Sequence, residues 1–346
     1  MKRAMNRVSF VMLFLFWINV GEGADRWRVI WGADVRYNNN IFFLSPSDII
    51  AFQHRDNPGR FPYRTLDDVD FTLSGSLNWL RTKGFAPEIG LKLHQFVMNP
   101  EKSYGVFSSQ INKEAGKIGV FGLSFVWMPN YLIRYYRDWT VKSEERYAPC
   151  RFGEYLLGFN FIRQVGRFSI KPGYRLEIDD YVAPFDYYDT KAHRLDGSID
   201  WRPMPNFTLD VEYEFKRARA KGPLPDISYD QHQMGFQLVS RPRRLHRFGV
   251  KAIYRWTYRR WTAVEDITHA GRIDETQEIG LGGEYRRNLV TVSLSYKLEW
   301  REVSSPHLEK IEDIKNYRVG TFSLGARLPL RIGAASAIQK GKKRGR

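Results

Sequence analysis

Cysteine is nearly absent from this chain of 346 residues, Cys150 being the only one. A single thiol excludes an internal disulfide framework and a cysteine-based metal site. Long hydrophobic runs are also missing. Beyond the first two dozen residues no stretch approaches the roughly 18 apolar residues of a membrane helix, and the mean hydropathy of -0.46 agrees. Almost no segment has a helical period. His54, His94, His193, His232, His246, His269 and His307 are scattered, with no recurring spacing to a serine or a carboxylate. That gives no nucleophilic triad and no spaced ligand cluster, so no enzyme activity, cofactor or metal is expected. The one suggestive acidic pair, Asp179 and Asp180, is expected to solubilise a strand end.

What is present begins with MKRAMNRVSFVMLFLFWINVGEGAD. Lys2, Arg3 and Arg7 precede an unbroken apolar run from Phe10 to Ile18, and small residues follow at Gly21, Gly23 and Ala24. This is the order of a secretory signal peptide, here expected over 1–24, and its run is too short to span a bilayer. The formal charge of +16 invites a nucleic-acid reading. Three basic residues, however, lie in that leader and six more in the tail 331–346 (Arg331, Lys340, Lys342, Lys343, Arg344, Arg346), while the body between is mixed in sign throughout. With an export signal and no helix-turn-helix, zinc-finger or RNA-binding signature, no nucleic-acid partner is expected.

The body, 25–330, repeats one pattern. In LVTVSLSYKLEW, Val290, Val292, Leu294, Tyr296, Leu298 and Trp300 alternate with Thr291, Ser293, Ser295, Lys297 and Glu299. A strand sends successive side chains to opposite faces, so one face meets something apolar and the other meets water or charge. The same alternation recurs in FSIKPGYRLEIDD, FTLDVEYEFK and FGVKAIYRWTYR. About fourteen such segments are expected, near 26–37, 66–80, 84–97, 117–128, 131–141, 152–164, 168–182, 191–203, 207–220, 229–241, 246–261, 275–287, 289–303 and 316–330. Each is long enough for a tilted strand to cross hydrocarbon. The links alternate long and short, with RTKG, MPN, RQVGR, RPMPN, RPRRLH and RRN among the short ones. Short periplasmic turns and longer extracellular loops produce that parity, whereas a soluble sandwich has no reason to sort its loops. Aromatics gather near the ends of the apolar sets (Trp27, Trp79, Trp127, Trp201, Trp256, Tyr285, Trp300), as interfacial girdles require.

On these residues the chain resembles bacterial outer-membrane β-barrel proteins as a class. Its last strand, YRVGTFSLGARLPL, is similar to the assembly signal of that class, with Ser323, Gly325, Leu328 and Leu330, although the chain runs on where the class usually ends in an aromatic. The resemblance implies an all-β fold, a transmembrane antiparallel up-and-down barrel in the outer membrane of a Gram-negative bacterium. The partners it implies are outer-membrane lipid and the assembly machinery that reads the last strand. A periplasmic partner of the basic tail is a further candidate.

The side opposite the lipid-facing set is expected to line a lumen. Lys171, Arg175, Lys251, Arg255, Arg259, Lys297 and Arg301 supply positive charge there, and Asp210, Glu212, Glu214, Glu284 and Glu299 supply negative charge. Fourteen strands lie on the side of barrel size where a lumen remains open. The expected function is therefore porin-like passive diffusion of small hydrophilic or charged solutes, with opposed basic and acidic tracks and a weak anion preference. The alternative is a non-conducting barrel that docks partners through its loops or tail, its charges tied into ladders. Segments 207–220 and 246–261 are separated by the charge-poor 229–241, so direct cancellation between them is not expected. The longest loop, 38–65, carries IFFLSPSDIIAF. Packing at the extracellular rim is the expected role, with an inward constriction as the other.

Overall fold

The computed structural model describes residues 26–80, 84–138, 141, 146–222, 226–242, 245 and 247–332. The expected leader 1–24, the tail from 333 and parts of the short links RTKG and RPRRLH lie outside them. Fourteen antiparallel strands form one closed barrel. In chain order they are β1 (Arg26–Asn38), β2 (Asp68–Leu80), β3 (Phe85–Phe96), β4 (Tyr104–Glu114), β5 (Val120–Arg137), β6 (Tyr147–Val165) and β7 (Phe168–Tyr181). They continue as β8 (Thr190–Met204), β9 (Phe207–Ala220), β10 (Tyr229–Ser240), β11 (Phe248–Trp261), β12 (Ile273–Arg287), β13 (Val290–Ser304) and β14 (Tyr317–Ile332). Each pairs with its successor, and β1 closes on β14 from Trp27 opposite Ile332 to Asn38 opposite Thr321. Among the described residues two α-helices lie in links, α1 (Pro46–His54) between β1 and β2, and α2 (Ile311–Lys315) between β13 and β14.

The strand number agrees with expectation through two errors that cancel. YGVFSSQINKE, expected to be loop, is β4, and the segments 117–128 and 131–141 are one strand, β5. The outward positions of β4 include Phe107, Ser109 and Ile111, too thin an apolar set to stand out in sequence. Pro129 and Asn130 read as a tight turn, but β5 accommodates them in a bulge, with register shifts between Met128 and Tyr131 and between Leu132 and Arg134. A bulge is where a sheet tolerates a proline that cannot donate to the ladder. Because one strand is gained and one turn lost, loop parity survives. The end bearing Arg26 and Ile332 holds two-residue turns at 166–167, 205–206 and 288–289, and the other end holds the links 39–67, 262–272 and 305–316.

Burial is inverted relative to a water-soluble protein. Leu123, Leu157, Leu195 and Leu281 on the outer face are 58%, 57%, 57% and 62% exposed, while Asp70, Thr72, Glu177, Asp200, Glu214, Lys216 and Asp274 on the inner face are buried. So large an apolar surface around a polar interior requires lipid outside. On β11 the outward set runs from Phe248 to Tyr258, roughly 33 Å along the strand and about 25 Å in height at a tilt near 40°. At the short-turn end Trp27 stacks on Trp79 with ring centroids 5.2 Å apart, and Phe248 meets Tyr285 at 4.8 Å. These outward rings form the girdle expected at a lipid headgroup layer.

Candidate functional site

Inward-facing charges from β7 to β13 pair into a series of separate clusters along the wall. Lys171 reaches Asp200 at 2.8 Å, and Arg175 bridges Asp196 at 3.0 Å and Glu214 at 3.1 Å. Glu177 is held by Lys216 at 2.7 Å and by Arg194. Arg255 contacts Glu212 at 2.8 Å and Glu278 at 3.3 Å, and Lys297 joins Glu278 at 3.2 Å and Glu299 at 3.0 Å. Glu284 pairs with Arg241 at 2.5 Å and Arg286 at 3.3 Å toward the short-turn end.

The contact between Arg255 on β11 and Glu212 on β9 overturns the expectation that the charge-poor β10 keeps these strands apart. Gly235 of β10 lies directly opposite both residues in the register. A Cβ there would collide with the Glu212 carboxylate, so the missing side chain is what lets the bridge pass over the intervening strand. Gly173, directly opposite Asp196 on the neighbouring strand, leaves room for that carboxylate, whose Oδ2 would lie 2.6 Å from an added Cβ.

Of the expected lining residues, Arg175, Glu214, Arg255, Glu212, Lys297 and Glu299 are thus brought together. Asp210 lies directly opposite Asp200 in the register, and Arg259 donates to the Gln231 side chain at 2.8 and 3.0 Å. Lys251 is exposed and makes no ion pair among the described residues. Arg194, Asp196, Glu278 and Gln231 join these residues on the inward face, following the alternation of their strands. Glu154, Glu177 and Asp179 present carboxylate oxygens within 4.8 Å of one another. Their counter-charges are Lys216 and Arg194. Asp179 points inward and accepts from Thr190 at 2.8 Å, whereas Asp180 takes the opposite face, so the suggestive pair does not act as one.

The loop-end mouth is built by links that fold inward, which corrects the expectation of rim packing. In the β1–β2 link, Ile41, Phe42, Leu44, Phe61 and Tyr63 form a buried cluster, with Phe96 and Tyr135 packed against it. The backbone N–H of Tyr135 donates to the Tyr63 hydroxyl at 3.1 Å. Pro46 opens α1, and the Ser45 side chain caps it by accepting from the Asp48 N–H at 3.2 Å. Asp48 then meets Arg60 at 2.5 Å and Arg134 of β5 at 3.8 Å. Lys102 is buried, donates to the Leu132 and Ile133 carbonyls at 2.8 and 3.0 Å, and lies over the Phe42 and Tyr131 rings. The Ser47 hydroxyl on α1 contacts the Asp313 carbonyl of α2, and Arg301 donates to the Lys315 carbonyl at 2.6 Å. β5 and β13 lie six steps apart in a ring of fourteen, so α1 and α2 together reach across the mouth.

Among the described residues there, the cations Lys102, Arg134, Arg272, Arg301 and Lys315 outnumber the acids Asp48, Glu101 and Asp274. Burial and the neighbouring Arg134, Arg272 and Arg301 push the Lys315 ammonium down to about 7. Burial, with Arg134 and Arg151, lowers Lys102 to about 7 as well. Asp274 takes a two-pronged contact from Arg272, at 2.6 and 2.7 Å, and Asp48 is the acid contributed by α1. Burial keeps His269 below its usual value despite the Asp266 carboxylate 2.7 Å away. Deeper in, His94 Nδ1 meets both Asp70 at 2.9 Å and Thr72 at 3.0 Å. Hydroxyl and carboxylate on one ring nitrogen is not a relay through two nitrogens.

Geometry and exposure together define a transmembrane β-barrel of the outer-membrane type. No protein-family model and no curated protein sequence matches the chain. Among solved structures it is similar to the outer-membrane expressed OmpT of Vibrio cholerae, with a TM-score of 0.46 and 10% identity over 90% of this chain and 99% of that one. It is also similar to an anion-selective porin from Comamonas acidovorans (TM-score 0.43, 10% identity, 88% and 99% covered). The outer-membrane channel DcaP of Acinetobacter baumannii gives a TM-score of 0.45 at 8% identity, with 88% and 97% covered.

Proposed function

We propose that the chain is a non-enzymatic outer-membrane channel for small hydrophilic solutes that favours anions. The observation that carries this reading is the inward gathering of Lys102, Arg134, Arg272, Arg301 and Lys315 at the mouth, against Asp48, Glu101 and Asp274 among the described residues. Cations held in a low-dielectric constriction attract anions from solution and repel other cations. Along the wall below, most of the opposed charges from β7 to β13 are paired, Lys251 being an exception, so discrimination is concentrated at the mouth. Arg255 and Arg259, among the cations expected from sequence to line the lumen, are engaged by Glu212, Glu278 and Gln231 and contribute less than Arg134 and Arg301.

Single-channel recording of the refolded protein in a planar bilayer, under a salt gradient, tests this. Discrete openings with an anion-selective reversal potential are expected. Arg134→Gln with Arg301→Gln should shift that potential toward zero, and Arg255→Gln should shift it less. A second reading, a docking barrel with a closed lumen, is favoured by the same paired wall. A folded, heat-modifiable barrel that stays electrically silent would replace the channel reading with it.

A further inference from the structure

The outer wall carries a charged patch that the channel reading leaves unused. At the loop end, Lys191 of β8 stands directly opposite Arg219 of β9, and His193 stands opposite Arg217. Across the next ladders Arg217 is opposite Asp230 of β10, and Asp230 is opposite Arg260 of β11. These positions share the outward face of Leu195, Tyr213, Met234 and Tyr254. Lys191, Arg217, Arg219 and Arg260 are all exposed.

The level of the patch is marked by side chains just below it. Tyr174 and His193 are hydrogen-bonded at 2.6 Å, and Tyr213 and His232 at 2.8 Å, both pairs facing outward, with His193 and His232 one outward position on the loop side of Leu195 and Met234. Amphipathic rings mark the depth at which hydrocarbon gives way to headgroups. The cations therefore lie at headgroup depth, above a greasy wall.

Charge within the patch is not balanced. Asp230 accepts from Arg217 at 2.9 and 3.0 Å and lies 3.4 Å from Arg219, so one carboxylate serves two guanidinium groups. Lys191 and Arg260 make no ion pair among the described residues. The flanking acids are Asp180 and Glu275, with Asp189 held by Lys221 at 3.1 Å. Like charges directly opposite in a ladder cost stability unless an anion lies between them.

We propose that this patch binds the phosphomonoester headgroup of a membrane lipid in the leaflet at the loop end, its acyl chains lying along the outward set of β8 to β11. Arginine pairs hold phosphate oxygens through forked N–H donors, and lysine adds a point charge. The inference concerns the outer wall and is independent of whether the lumen conducts.

The test uses the full chain in detergent micelles, titrated with a diphosphorylated glycolipid, the same lipid dephosphorylated, and inorganic phosphate. Binding is read by native mass spectrometry. The diphosphorylated lipid should bind at least about tenfold more tightly than the dephosphorylated one, as four basic side chains at a charged lipid surface imply. Lys191→Gln, Arg217→Gln, Arg219→Gln and Arg260→Gln combined should abolish that difference, and Arg318→Gln on β14 should leave it intact. If the fourfold variant loses its heat-modifiable fold, Lys191→Gln alone should reduce the difference. Equal binding of the two lipids, an unchanged difference in the variants, or competition by inorganic phosphate at matching concentration would each overturn the proposal.

Discussion

Gly235 is the residue on which the inner wall turns. Its lack of a side chain lets Arg255 and Glu212 meet across β10, and any Cβ there strikes the Glu212 carboxylate. Gly235→Val is expected to separate the pair and leave Arg255 with Glu278 alone, at a cost of about 1–3 kcal/mol for the displaced charged hydrogen bonds. Gly197 has open space around its Cβ position, so Gly197→Val is the matched control and should leave stability near wild type. The midpoint of the heat-modifiability transition compares the two, and equal midpoints would show that the bridge contributes nothing. The alternation in FTLDVEYEFK and FGVKAIYRWTYR made both charged partners legible. Their contact was not, because it depends on the glycine and on the register of three strands at once.

The inward links are the elements whose placement decides function. The apolar run IFFLSPSDIIAF was legible as unusual for a loop, but its place was not. Burial of Ile41, Phe42 and Leu44 depends on Phe96, Tyr135 and Lys102, which come from elsewhere in the chain. Replacing 46–54 with a flexible Gly-Ser linker removes α1 and its contacts with Arg134 and Asp313 while leaving the fourteen-strand ladder intact. Single-channel conductance is expected to rise, because a helix that reaches across the mouth obstructs ion flow there. Unchanged conductance in a variant that still forms a heat-modifiable barrel would mean that α1 does not narrow the path. At the same scale β4 and β5 show where pattern reading fails. A thin apolar face hides a strand, and a proline inside a bulge imitates a turn.

For the whole molecule, the mouth lysines couple charge to pH. Lys315 and Lys102 ionise near 7 in the folded protein, against 10.5 for an ordinary lysine. Between those values the unfolded chain binds more protons than the folded one, so stability rises with pH across that window, and the penalty of burying the two charges is full below it. The unfolding midpoint should therefore be higher at pH 9 than at pH 6. Anion preference should move the other way, falling between pH 6 and pH 8 as the lysines lose their protons. Recording the reversal potential at both pH values checks the second effect, and a selectivity flat in pH would remove the lysines from the filter.

The sequence by itself determined that this chain crosses a membrane with strands. Period-two alternation and loop parity are local properties of the chain, and an apolar face on nearly every strand demands lipid. Only the tertiary structure decided which charges cancel, where the β1–β2 link goes and which cations share the mouth or the outer wall. Those relations are set by barrel closure and shear, which bring together residues such as Arg134 and Lys315 that no spacing in the sequence connects.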